Sequence, residues 1–266
     1  MSRPRTLIIG GGLAGIKVAL ELANHRLPVV ILDKSPYIVG KLSQLDKQFP
    51  TNTCTMCQML PLTNELGSTE YCLKRDLTHP FIEIINPAEI ISYEKVNGRF
   101  RVSLKIFPQF VDRLKCIACG KCEEVCPVKV SNQFEEGLNK RKAIYQLYPE
   151  SVPDSYVIDM DACTRCGKCL EVCPTDAINL DLKEEVREEE FDNIVISTGF
   201  EINNPTDLTE YGYGRFKNVV TSMEMERLLS PMGPISGELK KRFGKLSLIH
   251  ISEPTRLGMN SYAVFC

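Results

Sequence analysis

An α/β fold is what the 266-residue sequence predicts: a Rossmann-like nucleotide-binding domain interrupted by a smaller, cysteine-rich α+β domain. Three observations predict it. A strand, a glycine turn, a helix and a second strand ending in an acid follow one another between Thr6 and Asp33. A second apolar strand, ending Ser197-Thr198-Gly199, arrives much later. Between the two lie two copies of one cysteine run.

Thr6 to Ile9 reads as a short apolar strand leading into Gly10-Gly11-Gly12-Leu13-Ala14-Gly15. A helical pattern follows, with Ile16, Ala19, Leu20, Leu22 and Ala23 on one side. Pro28 to Leu32 is the second strand, and Asp33 stands 18 residues past Gly15. In such a unit Gly10 makes the tight turn, Gly12 lets a pyrophosphate approach the backbone, and Gly15 packs helix on strand. The helix N-terminus around Ala14 faces the phosphates, and Asp33 accepts from a ribose hydroxyl. A bare glycine turn is the plain alternative; the flanking strand, helix and acid argue against it. The motif does not separate FAD from NAD. Phe191 to Phe200 (FDNIVISTGF) favours FAD: it is an ordinary buried strand by pattern, but it resembles the strand ending in Thr-Gly that closes the FAD domain of two-dinucleotide flavoproteins. Thr198 and Gly199 then abut the flavin.

The cysteine runs are Cys116, Cys119, Cys122 and Cys126 before Pro127, then Cys163, Cys166, Cys169 and Cys173 before Pro174. Three cysteines spaced three apart wrap one corner of a cubane cluster. The fourth, followed by Pro, serves the neighbouring cluster in two-cluster ferredoxins. Cys116, Cys119, Cys122 and Cys173 are thus assigned to one [4Fe–4S] centre, and Cys163, Cys166, Cys169 and Cys126 to the other. Zinc ribbons use two separated Cys-x-x-Cys pairs, which this pattern is not. Lys121 and Lys168 follow a glycine in each loop and add positive charge there.

Cys54, Cys57 and Cys72 form a third group with three readings: buried small hydrophobes, a Cys54–Cys57 dithiol touching the flavin, or ligands of a third iron–sulfur centre. Cluster ligation is the favoured one.

Residues 1–110 read as the first part of the FAD-binding domain, with strands at Phe81–Ile85 and around a hairpin turn at Asn97-Gly98. Residues 111–182 are the inserted two-cluster ferredoxin domain, whose inter-motif segment Val128 to Ala162 covers the clusters. Residues 183–245 resume the FAD-binding domain. The acidic run Lys183 to Glu190 reads as a solvated surface, Ser222 to Leu229 as a helix, and Met232 to Gly237 as loop. Leu246–Arg256 and Ser261–Cys266 match translated sequencing-adapter DNA, so 246–266 is expected to be an artefact and the natural sequence truncated near Lys245.

A net charge of −2 with no basic stripe argues against nucleic acid as a partner. No apolar run reaches about 18 residues, so no membrane span is expected. Met1 leads straight into a strand with no leader, and thiolate clusters suit a reducing compartment; both favour the cytoplasm. His25 and His79 read as surface or packing residues, and no residue is singled out as a general acid or base.

Beyond these readings, the sequence resembles the A subunit of heterodisulfide reductase. The matching stretches are Gly40 to Cys57 (GKLSQLDKQFPTNTCTMC), Tyr71-Cys72-Leu73, both cysteine runs, Arg141 to Tyr145, Asp192 to Gly199, and Tyr211 to Leu229. The resemblance implies a thioredoxin-reductase-like FAD domain interrupted by a two-cluster ferredoxin domain, with Lys34, Gly40 and Lys41 among the cofactor-binding residues. It implies an oxidoreductase component that acts on a sulfur group, whose FAD divides an electron pair between ferredoxin and a disulfide. The implied partners are heterodisulfide reductase B- and C-type subunits, a hydrogenase or formate dehydrogenase electron-input subunit, and ferredoxin, around a homodimer. Val39-Gly40 stands where many members have paired glycines, and the additional N-terminal cluster domain that the family often carries is not expected here. An NADPH-dependent flavin/iron–sulfur oxidoreductase like the small subunit of glutamate synthase is one rival, although there the ferredoxin part precedes the flavin domain. A non-catalytic electron-transfer module is the other.

Overall fold

The computed structural model describes residues 3–38, 40–45, 47–48, 53–54, 79–147, 151, 153–203, 205–230 and 233–236, with backbone alone at 42, 47, 48, 53 and 54. The expected tail at 246–266, Cys57 and Cys72 lie outside the described residues, and Cys54 is described by its backbone. The chain divides into two compact units. One holds 1–43, 47–131 and 140–199; the other holds 44–46, 132–139 and 200–266.

The first unit begins β1 (Thr6–Ile9), α1 (Leu13–Asn24), β2 (Val29–Leu32), then a short antiparallel pair β3 (Lys47–Gln48) and β4 (Thr53–Cys54). After these come β5 (Ile82–Ile85), β6 (Ala88–Val96), β7 (Arg99–Ile106) and α2 (Lys121–Val125). Next are β8 (Lys129–Ser131), β9 (Lys140–Lys142), β10 (Ile144–Tyr145), β11 (Val157–Ile158) and α3 (Lys168–Val172). Last come β12 (Glu185–Phe191) and β13 (Asn193–Ile196).

Four strands form a parallel sheet in the order β13-β1-β2-β5. All four residues of β2, Val-Val-Ile-Leu, are buried, as expected of a parallel strand covered on both faces. α1 buries Gly15, Ile16, Ala19, Leu20 and Ala23, a single helical stripe. An antiparallel sheet, β12-β7-β6, is joined by the predicted hairpin; Asn97 (φ 53°) and Gly98 (φ 84°) both take the left-handed region that a type I′ turn needs. One core knits the two sheets: Leu7, Val30, Leu32 and Ile85 meet Val102, Leu104 and Phe191.

The acidic run is largely exposed, as expected of a solvated surface, and it is also a strand, which was not expected. Residues Glu185–Phe191 are an edge strand in register with β7, pairing Glu190 with Arg101 and Val186 with Lys105. Alternation turns Glu189 inward, where it meets Arg5 at 2.6 Å with 9% of its side chain exposed. Basic residues on β7 supply the cross-strand partners that let so acidic a segment pair.

The cysteine-rich part has its own core of Val111, Cys122, Ile144, Tyr156, Ala177, Ile178 and Leu180. Polar contacts tie it to the parallel sheet. The buried Tyr37 hydroxyl faces the carbonyls of Tyr145 (3.2 Å) and Ser155 (3.0 Å). Arg113 donates to Asn86 Oδ1 (3.0 Å), Asn86 O (2.9 Å) and Pro36 O (3.3 Å).

In the second unit, α4 (Ser222–Leu229), as predicted, starts with a capping box: Glu224 N–H donates to Thr221 Oγ1, and Thr221 N–H to Glu224 Oε2. Its Arg227 is buried, bridging Glu135 at 2.8 Å and donating to the carbonyl of Gln44 at 2.8 Å.

Phe191 is fully buried where the two sheets meet. Phe191→Ala is expected to destabilise the first unit by about 3–5 kcal/mol, measured as a lowered denaturant midpoint with unchanged slope.

Candidate functional site

The glycine turn is held by backbone crowding that tolerates no side chain. Gly10 has φ +106°, and a Cβ there would stand 2.3 Å from the Ser197 carbonyl oxygen. At Gly15 it would stand 2.0 Å from the Gly10 carbonyl oxygen. Gly12 is different: a Cβ there meets nothing within 4 Å. Gly12 is also the N-cap of α1, so the helix's free N–H groups, Ala14's included, open beside it. Gly40 (φ +60°) lies against this point, its Cβ position 3.5 Å from Gly12 Cα, and Lys41 follows it in a 3-10 turn. Thr198 and Gly199 leave the end of β13 beside Gly10.

Asp33 is engaged in a way the sequence did not indicate. Its Oδ2 accepts the Gly11 N–H at 2.6 Å and its Oδ1 the Ser35 N–H at 2.8 Å. The acid therefore fixes the glycine turn, and its remaining lone pairs are free to accept from a ligand hydroxyl. Lys34 next to it is exposed. Gly10, Gly12, Gly15, Asp33, Gly40 and Thr198 thus lie close along one stretch of backbone, open where Gly12 lacks a side chain. This is the donor-rich, side-chain-free cradle that a dinucleotide pyrophosphate requires.

The two cysteine runs fold alike. Ala118 and Arg165 take left-handed backbone at equivalent places, as do Gly120 and Gly167, the N-caps of α2 and α3. The fourth cysteine of each run, Cys126 or Cys173, is the extended residue that ends the helix. It therefore points away from its own loop. One cavity is lined by Cys116, Cys119, Cys122 and Cys173, with Val111, Ile117, Lys121 and Tyr156. A second is lined by Cys163, Cys166, Cys169 and Cys126, with Ile144, Ile158, Lys168 and Leu180. Among the described residues no three His, Cys, Asp or Glu side chains gather around a single metal ion. The four thiols of each set are instead spread round an apolar cavity, a donor arrangement that fits a cluster.

Burial pushes the Cys122 thiol up to about 12, with Cys116 and Cys119 adding to the effect and the Glu123 backbone amide opposing it. Burial also raises Cys169. At Cys173 burial pulls upward too, but the backbone N–H groups of Ala177 (3.3 Å) and Thr175 outweigh it and lower the thiol. Buried thiols of this kind become thiolates when iron supplies the positive charge. Arg165 N–H donates to Cys163 Sγ at 3.4 Å, a contact of the type that tunes cluster potentials.

His79 and His25 behave as packing and surface residues: His79 Nδ1 accepts from Phe81 N–H, and His25 stands exposed beside Glu21. Cys54, Cys57 and Cys72 are not placed by the described side chains. What the sequence reading missed is Tyr156, whose hydroxyl donates to Glu123 at 3.0 Å at the edge of the first cavity.

Comparison with known families agrees with this layout. Residues 5–43 match the FAD binding domain, and residues 115–177 and 155–200 match two 4Fe-4S dicluster domain models. The chain is 43% identical over 235 residues to an iron-sulfur A subunit of the CoB–CoM heterodisulfide reductase of Methanopyrus kandleri, covering 88% of this chain and 34% of the relative. It is 39% identical over 237 residues to the A subunit of the H2:CoB–CoM heterodisulfide,ferredoxin reductase of Methanothermobacter marburgensis, covering 89% and 34%. With the A subunit of the ferredoxin/F420H2-dependent CoB–CoM heterodisulfide reductase of Methanosarcina acetivorans it shares 37% over 234 residues, covering 88% and 28%. The chain thus spans about a third of the length of these relatives. Among solved structures, L-proline dehydrogenase from P. horikoshii matches at a TM-score of 0.29 and 14% identity over 75% of this chain and 43% of that one, too loose a superposition to define a fold.

Because a Cβ on Gly12 meets no protein atom, Gly12→Ala is expected to leave the melting temperature within about 2 °C of wild type. Bound flavin, measured by absorbance after denaturation, should fall at least about tenfold, since the methyl enters the space a pyrophosphate needs.

Proposed function

We propose that this homologue of the heterodisulfide reductase A subunits is the FAD- and [4Fe–4S]-bearing electron-transfer part of a heterodisulfide reductase-type complex, with residues 111–182 forming a ferredoxin domain inserted into the FAD domain. One observation carries the reading: eight cysteines divide three-plus-one between two apolar cavities, in the same compact unit as a side-chain-free dinucleotide cradle.

Bound FAD exchanges two electrons and each [4Fe–4S] cluster one, so the pairing joins two-electron to one-electron chemistry. The chain's own residues do the rest. Gly12 and the first turn of α1 bind the pyrophosphate, Asp33 holds the turn and takes the ribose, and Thr198 and Gly199 border the flavin. Gly40, Lys34 and Lys41 extend that rim. The two cysteine sets hold the clusters, while Val111, Ile144, Ile158 and Leu180 supply the apolar walls. Cys54, Cys57 and Cys72 are proposed to ligate a third iron–sulfur centre.

The partners that suit this role are B- and C-type subunits of the reductase, a hydrogenase or formate dehydrogenase input subunit, and ferredoxin, with the chain as a homodimer in the cytoplasm. Among the described residues no helix is long and apolar enough to cross a membrane.

Anaerobically purified protein is expected to contain one FAD and about eight iron atoms per chain from the two cysteine runs, rising to about twelve if the third group ligates a cluster. Colourless oxygen-free material would overturn the reading, and flavin bleached directly by NADPH would favour a nicotinamide-dependent enzyme. The assignment of ligands has its own check. Cys173→Ser and Cys116→Ser should damage the same electron paramagnetic resonance signal, and Cys126→Ser the other one.

A further inference from the structure

The two cysteine runs repeat with an offset of 47 residues, from Cys116 to Cys163 through Cys126 to Cys173, so charges within and just beside one run can be compared with the equivalent positions of the other. Several charges cancel in that comparison: Lys121 corresponds to Lys168, Glu124 to Glu171, and Asp112 to Asp159. Others do not. Glu123, which accepts from Tyr156 at the first cavity, corresponds to the apolar Leu170. Asp176, whose charge acts on Cys173, corresponds to Lys129. Arg165, whose side chain donates to the carbonyl of Leu180 at 3.2 Å on the second cavity's wall, corresponds to Ala118. Lys142, with no equivalent in the first run, donates through Nζ to the carbonyl of Cys126. The opposing charges are Arg113 and Lys115 beside the first run and Asp161 beside the second. Arg113 is turned onto the carbonyls of Asn86 and Pro36, away from the cluster ligands.

The hairpin adds an independent observation. β8 and β9 place Lys129 directly opposite Lys142. Like charges in that relation are destabilising in an isolated sheet. Lys142 Nζ reaches the Cys126 carbonyl and Lys129 follows Cys126 by three residues, a placement that a net negative, thiolate-bound cluster beside Cys126 would favour. Positive charge beside a cluster stabilises its reduced, more negative form, and negative charge does the reverse.

We propose that the set Cys126, Cys163, Cys166 and Cys169 holds the more readily reduced of the two clusters. Lys142 and Lys129 on one side, and Glu123 and Asp176 on the other, set that order. An electron entering this domain then comes to rest at the second set, which makes it the exit station. The inference rests on the [4Fe–4S] reading of both cavities.

The test is a redox titration of the anaerobically reconstituted full chain, followed by electron paramagnetic resonance. Wild type should give two separate midpoints. Lys142→Met should lower the upper midpoint by about 59 mV, a tenfold change in a one-electron equilibrium, and move the lower one much less. Lys142→Arg should restore it. Glu123→Gln should raise the lower midpoint and leave the upper one in place, which tests the order without relying on any Lys142 variant. The order is overturned if wild type gives a single unsplit midpoint, or if Lys142→Met moves the lower midpoint or neither. With iron and sulfide confirmed, such a result sinks the order alone. Wild-type protein that takes up no iron or sulfide sinks the cluster reading and the order together.

Discussion

The return of β13 onto β1 is the constraint on which the nucleotide cradle depends. Thr6 to Ile9 pair in parallel with Asn193 to Ile196, residues separated by 187 positions in the chain. Just beyond the pairing, Ser197 N–H donates to the Ile9 carbonyl at 2.8 Å, and its hydroxyl reaches the Ile9 and Gly10 carbonyls at 3.0 Å. The Gly10 carbonyl is the atom against which Gly15 must lack a side chain. So a strand made after the whole cysteine-rich segment fixes the shape of a turn made near the first residues. The helix N-terminus can present its amides at a defined place only once that distant strand has docked.

A second constraint runs through the cysteine runs. Burial against an apolar cavity makes the Cys122 thiol costly to ionise, and its elevation expresses that cost. Iron removes it by supplying charge at the cavity centre, so ligation and folding of this segment are coupled. The crossover of the fourth cysteines has a further effect. Each cavity takes ligands from both halves of the segment, so neither cluster site can be completed unless α2 and α3 are packed together.

Much of this was legible in the sequence because the motifs are local. The glycine turn, Asp33, both cysteine runs and α4 are short segments whose spacing fixes backbone geometry, and the Asn97-Gly98 hairpin is encoded in two residues. What was not legible depends on pairing between distant segments. The acidic run 183–190 carries no sign, taken alone, of becoming a strand; Arg99, Arg101 and Lys105 on β7 make it one. Asp33's grip on Gly11 was hidden because the same acid has an obvious ligand role. Tyr156 lies outside both cysteine runs and reaches the first cavity only through the packing of β11's flank. The family matches agree with the flavin and dicluster segments, while the ligand assignments rest on geometry and chemistry.

The link between the cradle and the cysteine-rich segment is polar, and it is built on main-chain acceptors. Burial lowers the Arg113 guanidinium to about 10, with Tyr37 opposing, so it stays cationic at neutral pH. Its acceptors are the amide oxygen of Asn86 and two main-chain carbonyls, not a carboxylate. The Tyr37 hydroxyl likewise donates to main-chain carbonyls, at Tyr145 and Ser155, each one residue from a cavity-lining side chain. Such bonds are directional and fix backbone to backbone, whereas an exposed ion pair would loosen with salt. A charge-assisted donor three residues before Cys116, anchored on the main chain next to Asp33's strand, holds the first cluster loop at a set distance from the cradle. Because these bonds involve no exposed ion pair, the spacing they set is insensitive to ionic strength.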